Sequence, residues 1–97
     1  MATLFEAQDA SGRTIRLSRE RWSHILRHSD MTNQEEALKE TLASPLKVTT
    51  YSIDGDVRYY YRYYKERPSR AKYLRVVVKY LNGDGFIITA HFVERIQ

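Results

Sequence analysis

The sequence predicts an α+β protein in which an N-terminal β-hairpin or arm and two short α-helices pack on one face of a four-stranded antiparallel β-sheet. Three observations support this prediction. Apolar residues recur with helical spacing between residues 18 and 43, and they alternate with a period of two from residue 46 onwards. The connections in this second part are too short for crossover helices, so its strands should be antiparallel. A chain of 97 residues suits a single domain, which we place at residues 1–97.

Two short strands and a helix are predicted at the start of the chain. The strand candidates are Thr3–Ala7 and Thr14–Leu17, and the segment Asp9–Gly12 between them has the composition of a turn. Ser18 stands at an N-cap position, where its hydroxyl can accept a hydrogen bond from a backbone N–H of the following helix. The spacing of the apolar residues predicts that helix over Arg19–His28.

A second helix and two further strands follow. Thr32 and Glu35 have the spacing of a capping box, which predicts a helix over Asn33–Ala43. Two strands are then predicted on either side of a turn at residues 53–56, namely Leu46–Ser52 and Val57–Glu66.

The segment Lys72–Val93 is predicted to form a central hairpin with its turn at residues 82–85. Asn-Gly and Asp-Gly in this turn supply the positive φ that tight hairpins need. Alternation directs one apolar set towards the helices: Leu74, Val76, Val78, Tyr80, Phe86, Ile88, Ala90 and Phe92. The opposite face then carries Tyr73, Arg75, Val77, Lys79, Ile87, Thr89, His91, Val93 and Arg95. Such a face suits an anionic ligand, and it also resembles an ordinary solvated sheet face.

The composition excludes several classes of protein. The chain contains no cysteine, which excludes disulfides, thiolate metal sites and cysteine nucleophiles. It has neither a signal-peptide pattern nor an apolar run of membrane-spanning length, so we expect a cytoplasmic protein without a membrane partner. No phosphate-binding loop or dinucleotide fingerprint occurs, and we expect no cofactor.

Positive charge is concentrated in the second half of the chain. Residues 1–45 contain six Lys and Arg against seven Asp and Glu, whereas residues 46–97 contain ten against five. Clustered cations bind polyanions such as RNA by Coulomb attraction and counterion release. The alternative is a basic surface that serves only solubility.

The tyrosine-rich strand is a candidate for RNA contact. Alternation places Arg58, Tyr60, Arg62 and Tyr64 on one face, and Tyr59, Tyr61 and Tyr63 on the other. Tyrosine and arginine together can stack on bases and contact phosphates. We therefore expect Arg58, Tyr60 or Arg62 to contact RNA, with packing between strands as the alternative.

His91 is a candidate for acid–base catalysis. Metal-independent RNA cleavage needs a group that accepts the 2′-hydroxyl proton, a donor for the leaving 5′-oxygen, and cations for the charge on phosphorus. His91 lies on the predicted polar face with Arg75, Lys79 and Thr89, which together match these needs. A histidine on a strand can also be merely exposed to solvent.

His24 and His28 lie four residues apart and share a face of the first predicted helix. A zinc site would need a third ligand, for which Glu20 is the nearby candidate on that face, and we predict no metal site. A structural role at the helix C-terminus is the alternative for His28, because a charged imidazole there interacts favourably with the helix dipole.

Several short segments, in this order and spacing, resemble one known family. They are Ile15–Leu17, Glu20–Ile25 with His28 before Asp30-Met31, Pro45, the tyrosine strand with Arg62, Lys72 with Val76–Lys79, and Ile88–Ala90. The chain resembles the phage-type nuclease-like family of the barnase/EndoU/colicin/RelE superfamily over most of its length.

The resemblance implies a RelE/barnase-like fold and metal-independent ribonuclease activity, with toxin roles for some members. The polar residues that match by position are His24, His28, Tyr61, Arg62, Lys72, Lys79 and Thr89. His91 stands where many relatives have tyrosine, which gives more weight to His24 as the proton-handling residue.

These observations lead to a working hypothesis with two alternatives. The protein is expected to be a metal-independent endoribonuclease or RNase-type toxin that acts on an open basic sheet face. Catalytic candidates are His24, His91, Arg62, Lys79 and Thr89, and RNA-binding candidates are Arg58, Tyr60, Tyr61, Lys72, Arg75 and His28. One alternative is a non-catalytic RNA-binding or protein-binding module on the same scaffold. The other is a homodimer through the open face, using Val77, Ile87 and Val93. A neutralising antitoxin or immunity protein is a further expected partner of a toxin.

Overall fold

The computed structural model describes residues 2–51, 53 and 55–97. Within this part of the chain, six strands form one sheet, accompanied by two α-helices and a 3₁₀ turn. In chain order the elements are β1 (Thr3–Gln8), β2 (Thr14–Ser18), α1 (Arg19–Ile25), the 3₁₀ turn (Ser29–Met31), α2 (Glu35–Ala43), β3 (Lys47–Thr50), β4 (Val57–Tyr63), β5 (Tyr73–Leu81) and β6 (Asp84–Val93).

The prediction of a four-stranded antiparallel sheet was wrong, although the protein is α+β. The sheet is six-stranded and mixed, with the order β1-β2-β6-β5-β4-β3. Strands β1 and β2 form a hairpin that joins the sheet, because β2 runs parallel to β6 through the pairs Ile15–Gly85 and Arg16–Phe86. Ile15 and Leu17 of β2 are fully buried, so the hairpin contributes to the core instead of standing apart as an arm.

The helices are shorter than the sequence predicted. The Ser18 hydroxyl caps α1 by accepting a hydrogen bond from the Arg21 amide at 3.0 Å, as expected. The predicted capping box at Thr32 was wrong, because Asn33 has φ +63° and cannot belong to a right-handed helix. Helix α2 therefore begins at Glu35, after an N-cap residue whose side chain makes no capping hydrogen bond.

The β5–β6 turn forms at Asn82 and Gly83, the first half of the predicted turn, whereas Asp84 and Gly85 belong to β6. Asn82 and Gly83 have φ values of +55° and +86°, which is the left-handed geometry of a two-residue hairpin turn. The predicted turn at residues 53–56 includes Asp54, which lies outside the described residues, as does Ser52 of the predicted strand before it.

A β-bulge changes the predicted faces of β6. Val77 pairs with Thr89 and Val78 pairs with Ile87, so Ile88 is an extra residue without a partner. Ile87, predicted on the polar face, is therefore buried in the core, and Phe86, predicted in the core, is 40% exposed. The predicted alternation holds beyond the bulge, where Ala90 and Phe92 are buried.

One hydrophobic core lies between the sheet and the helices. Strand β5 supplies Leu74, Val76 and Val78, and the helices supply residues such as Trp22 and Leu38. Helix α1 packs against β6 and β2, whereas α2 packs against β5, β4 and β1. Within the described ranges, no helix is both long enough and apolar enough to cross a membrane.

Candidate functional site

The sheet face opposite the helices, here called the open face, carries the aromatic and basic side chains of the site. In the described part of the chain, the buried residues of both helices pack on the other face, in the core with Leu74 and Val76. The register places side chains from β3 to β6 on the open face, because residues opposite each other on neighbouring strands point the same way.

Four open-face residues form a line across the sheet, which we call the polar row. Lys47 of β3 pairs with Tyr61 of β4, Tyr61 pairs with Arg75 of β5, and Arg75 pairs with His91 of β6. Neighbouring strands are about 4.8 Å apart. Tyr61 is fully buried within the row, whereas Lys47 is exposed and Arg75 and His91 are partly exposed, so a single ligand can reach these three from solvent.

Arg75 and His91 are joined by a hydrogen bond. The Arg75 Nη2 lies 3.2 Å from the His91 Nε2, and because a guanidinium only donates, the Nε2 must accept. The guanidinium also lies 5.4 Å from the centre of the Tyr59 ring. Arg75 is therefore held over the middle of the open face between β4 and β6.

The environment of His91 favours the neutral imidazole. Burial lowers the His91 pKa below its ordinary value, the charges of Arg75 and His28 lower it further, and Asp30 opposes them. A neutral ring that accepts at Nε2 must carry its proton on Nδ1. His91 is therefore set up to hold Arg75 near neutral pH.

His28 reaches the same site from the edge of the sheet. Its ring stacks on that of His91, with centroids 5.1 Å apart and an angle of 19° between the planes. Only the start of β6 is paired with β2. The second half of β6 therefore lies beside α1 and the turn after it. This arrangement brings His28, which is exposed, to the end of the polar row.

Three neighbouring polar atoms of the row have no hydrogen-bond partner among the described residues. They are the Tyr61 hydroxyl, the Arg75 Nε and the His91 Nδ1, and all three atoms are buried. Buried polar atoms nearly always have a partner in the protein or in bound water. The row therefore retains hydrogen-bonding capacity that the described protein groups do not use.

Tyrosine pairs lie on both sides of the row. The rings of Tyr51 and Tyr59 stack with centroids 6.4 Å apart, and those of Tyr63 and Tyr73 lie 5.0 Å apart. Tyr51 and Tyr63 are 43% and 45% exposed, so their ring faces are accessible from solvent. Exposed tyrosine rings of this kind can stack on nucleic acid bases.

Six of the predicted site residues lie at the open face. Tyr61, Arg75 and His91 belong to the polar row, and His28 stacks at its end. Thr89 and Lys79 lie on the same face, where Thr89 pairs with Val77 and Lys79 pairs with Phe86.

Arg62 and Arg58 lie on the helix face, not with Arg75 and Lys79. The Arg62 Nη1 donates to the Ser44 carbonyl at 2.6 Å, and its Nε lies 3.2 Å from the Glu40 carboxylate. The Arg58 guanidinium lies 5.1 Å from the centre of the Tyr80 ring. The expected grouping of Arg62 with the open-face cations is corrected, because β4 pairs with β5 in a register that turns Arg58 and Arg62 towards α2 and the core.

Tyr60 is also part of the helix face, where it joins a buried hydrogen-bond network. Its hydroxyl lies 2.5 Å from that of Tyr80, and the Tyr80 hydroxyl donates to the Asp9 carboxylate at 2.7 Å. Tyr60 is only 3% exposed, which leaves its ring no face for a base. Its burial therefore corrects the expectation that Tyr60 is available for RNA contact.

Lys72 and His24 also lie away from the polar row. The Lys72 ammonium donates to the Arg67 carbonyl and so closes the loop between β4 and β5. His24 lies on the outer side of α1, where it lines a shallow cavity with Arg21 and Arg27. Of the two histidines predicted on the first helix, His28, which follows the end of α1, reaches the row and His24 does not.

The sequence interpretation missed five residues of this site: Lys47 in the row and the flanking tyrosines Tyr51, Tyr59, Tyr63 and Tyr73. Alternation had placed Tyr59 on the correct face of its strand, but nothing in the sequence singled it out from the neighbouring tyrosines. Lys47 becomes part of the row only through the β3–β4 register, and the length of the strands and turn does not fix that register.

No group of three or more histidine, aspartate and glutamate side chains close enough to hold a metal ion occurs in the described part of the chain. Comparisons of this chain with protein-family models, with curated proteins and with solved structures found no match.

Proposed function

We propose that the protein is a metal-independent ribonuclease whose site is the polar row with His28 at its end. The observation that carries this proposal is the assembly, on one open face, of an exposed histidine, an anchored arginine and three buried polar atoms that have no partner among the described residues. Histidine and arginine are the side chains that proton transfer and phosphate binding require near neutral pH.

The substrate would lie across the row with its bases on the flanking tyrosines. The Arg75 guanidinium suits the scissile phosphate because its planar donors match two phosphate oxygens. Lys47, at the other end of the row, would contact a neighbouring phosphate. The Tyr51–Tyr59 and Tyr63–Tyr73 pairs would stack on bases at either side.

His28 is the side chain that we assign to proton transfer. His91 is unsuited to it in this arrangement, because its Nε2 is bonded to Arg75 and its Nδ1 is buried. His28 would accept the proton of the 2′-hydroxyl as the 2′-oxygen bonds to phosphorus and the bond from phosphorus to the 5′-oxygen breaks. The leaving 5′-oxygen would take its proton from water, and Arg75 would stabilise the negative charge that develops on the phosphate. The products are a 2′,3′-cyclic phosphate and a 5′-hydroxyl.

Incubation with labelled single-stranded RNA in EDTA tests this proposal. We expect cleavage that gives 2′,3′-cyclic phosphate ends and that stops when the 2′-hydroxyls are replaced by 2′-O-methyl groups, because the nucleophile is then absent. Lack of cleavage at every protein concentration used, by a protein that binds the same RNA, would contradict it.

A non-catalytic RNA-binding module is the second candidate function. One observation favours it: the Nε2 of His91 is hydrogen-bonded to Arg75 and its Nδ1 is buried. The imidazole of His28 is then the one accessible for proton transfer in this site, which suits binding better than catalysis. Salt-dependent RNA affinity without turnover would identify this case.

The remaining partner predictions concern other proteins. The proposed homodimer interface cannot use Ile87, which faces the core, although Val77 and Val93 stay on the open face. Size-exclusion chromatography with light scattering tests for the dimer. Inhibition of RNA cleavage by a co-expressed neighbouring protein would test for an antitoxin or immunity protein.

A further inference from the structure

Helix α1 and the turn after it present an outer surface rich in cations. Between residues 19 and 28 the chain has Arg19, Arg21, Arg27 and two histidines against one carboxylate, that of Glu20. Trp22 and Ile25 are buried against the sheet, so the charged residues point to solvent. This surface thus differs from the first half of the chain as a whole, where acidic residues slightly outnumber basic ones.

Two arginines of this surface, Arg21 and Arg27, differ from most others in their lack of side-chain partners in the described part of the chain. Most other arginines in the described residues hold a carboxylate, a carbonyl or an aromatic ring, as Arg16, Arg62 and Arg67 do. Arg21 and Arg27, in contrast, have no side-chain hydrogen bond, ion pair or ring contact with any described residue. Their charges are therefore available to a ligand.

The α1 surface is continuous with the proposed active site. Arg21, His24 and Arg27 line one shallow cavity of about 370 Å³ with Glu20 and Ser23. His24 lies in the last turn of α1, and His28, four residues later and beyond the end of the helix, stacks on His91 at the end of the polar row. The row thus leads around the sheet edge onto α1. Two carboxylates lie along this path, Glu20 in the cavity and Asp30 near His91, and Asp30 is paired with Arg67 at 3.8 Å.

We infer that the outer surface of α1 binds the phosphates of RNA nucleotides that extend beyond the polar row, with Arg21 and Arg27 as the contacting cations. This inference rests on the proposed function, and it adds a second contact segment that only a longer RNA can reach. Because α1 lies at the edge of the sheet, a short oligonucleotide fills the row alone. The surface therefore makes affinity depend on RNA length.

The test compares two single-stranded probes, about four and about twelve nucleotides long, both 2′-O-methylated so that no cleavage can occur. The variant Arg21→Gln with Arg27→Gln removes both cations, and the matched control Lys65→Gln with Arg70→Gln removes two exposed, unpartnered cations of the loop between β4 and β5. Affinity is measured as a function of salt, because each lost phosphate contact on single-stranded nucleic acid lowers the salt slope by about 0.7.

We expect the α1 variant to bind the longer probe about tenfold more weakly, with a salt slope smaller by about 1.4 for two contacts. Its affinity for the shorter probe should fall less than about twofold, and the control should bind both probes like the unaltered protein. An unchanged slope for the longer probe, or an equal loss in the control, would overturn the inference. Failure of the unaltered protein to bind either probe would overturn it together with the proposed function. RNA binding without any cleavage of unmodified RNA overturns only the ribonuclease.

Discussion

The imidazole of His28 lies flat against that of His91, with 5.1 Å between ring centroids, although the two residues belong to different elements. The charge of His28 is also one of the causes that lower the His91 pKa, after burial and the charge of Arg75. When His28 is protonated, the protonation of His91 is further disfavoured. The pair therefore divides into an exposed histidine, to which the proposed function assigns proton transfer, and a partly buried one that holds Arg75.

Replacement of His28 by asparagine is expected to reduce the rate of RNA cleavage by about 10²-fold or more, because a positioned acid–base group contributes about this much. His24→Gln, which removes an imidazole from the outer side of α1, should reduce the rate less than about tenfold. Single-turnover cleavage of labelled RNA measures both. A loss for His24→Gln equal to that for His28→Asn would contradict the assignment. Because His28 is exposed, the melting temperature of the His28→Asn variant should stay close to that of the unaltered protein.

Arg75→Gln is expected to weaken RNA binding by about 10- to 100-fold, because a charged hydrogen bond to phosphate is worth about 1.5–3 kcal/mol. Arg62→Gln is the matched control, since Arg62 is bonded to Ser44 and Glu40 on the helix face. We expect this control to lower the free energy of unfolding by about 1 kcal/mol and to leave RNA affinity unchanged. If both variants lost affinity equally, the open face would not be the binding surface. Fluorescence anisotropy with a 2′-O-methyl probe measures the affinities.

Arg75→Gln is also expected to raise the pKa of His91. Burial is the main cause of the lowered value, and the charge of Arg75 is the next, so the substitution removes one of the two main causes. An NMR titration of the His91 ring protons should show the midpoint move upwards, towards the ordinary value of 6.5. A midpoint that stays in place would show that the guanidinium is not held beside the ring in solution.

Local sequence patterns were sufficient to predict the strands, the Asn82-Gly83 turn and the set of residues on each face of β5. These features depend on neighbours in the chain, such as the alternation from Leu74 to Lys79 and the positive φ of the turn. The extra residue Ile88 was not predictable, because a bulge in an apolar run changes no residue type. The error exchanged the faces of Phe86 and Ile87 and left Ile88, also predicted in the core, outside the core cluster, whereas Thr89 and His91 lie on the predicted face.

The parts of the site that were mispredicted depend on pairing between distant segments. Alternation correctly separated Arg62 from Tyr61 on β4, but it could not tell which of these two faces joins the Arg75 face of β5. Similarly, the parallel β2–β6 contact places α1 at the sheet edge and so selects His28 over His24. Both outcomes depend on register and on tertiary packing, and no single segment contains that information.

Asp9→Asn is expected to destabilise the protein by about 2 kcal/mol near pH 7, because the carboxylate of this buried residue accepts hydrogen bonds from Tyr80, Tyr60 and Ser11. Burial by itself would raise the Asp9 pKa, but the hydrogen bonds from Ser11, Tyr80 and the Arg13 amide together lower it below 3.8. A carboxyl group whose pKa is lower in the folded protein than in the unfolded chain stabilises the fold at pH values above its unfolded-state pKa. That stabilisation is lost as the pH falls through its folded-state pKa. The loss of stability between about pH 5 and about pH 2.5 should therefore be smaller in Asp9→Asn. Urea unfolding at both pH values measures it, and the exposed Glu94→Gln serves as the control. The same pH dependence in Asp9→Asn and Glu94→Gln would contradict the prediction.

Gly85→Ala is expected to lower the free energy of unfolding by about 1–3 kcal/mol through overpacking. A Cβ on Gly85 would meet the side chain of the fully buried Ile15, and it would lie 3.0 Å from the Val78 Cγ1 and 3.1 Å from the Tyr80 Cε1. Because Ile15 pairs with Gly85 across the parallel β2–β6 contact, the substitution pushes the N-terminal hairpin away from the sheet.

Gly55→Ala is the matched control, since a Cβ there has no heavy atom within 4 Å. We expect the melting temperature to fall by about 4–8 °C for each kcal/mol lost in Gly85→Ala and to stay unchanged in Gly55→Ala. Equal melting temperatures for the two variants would show that β2 is not packed against β6 as described.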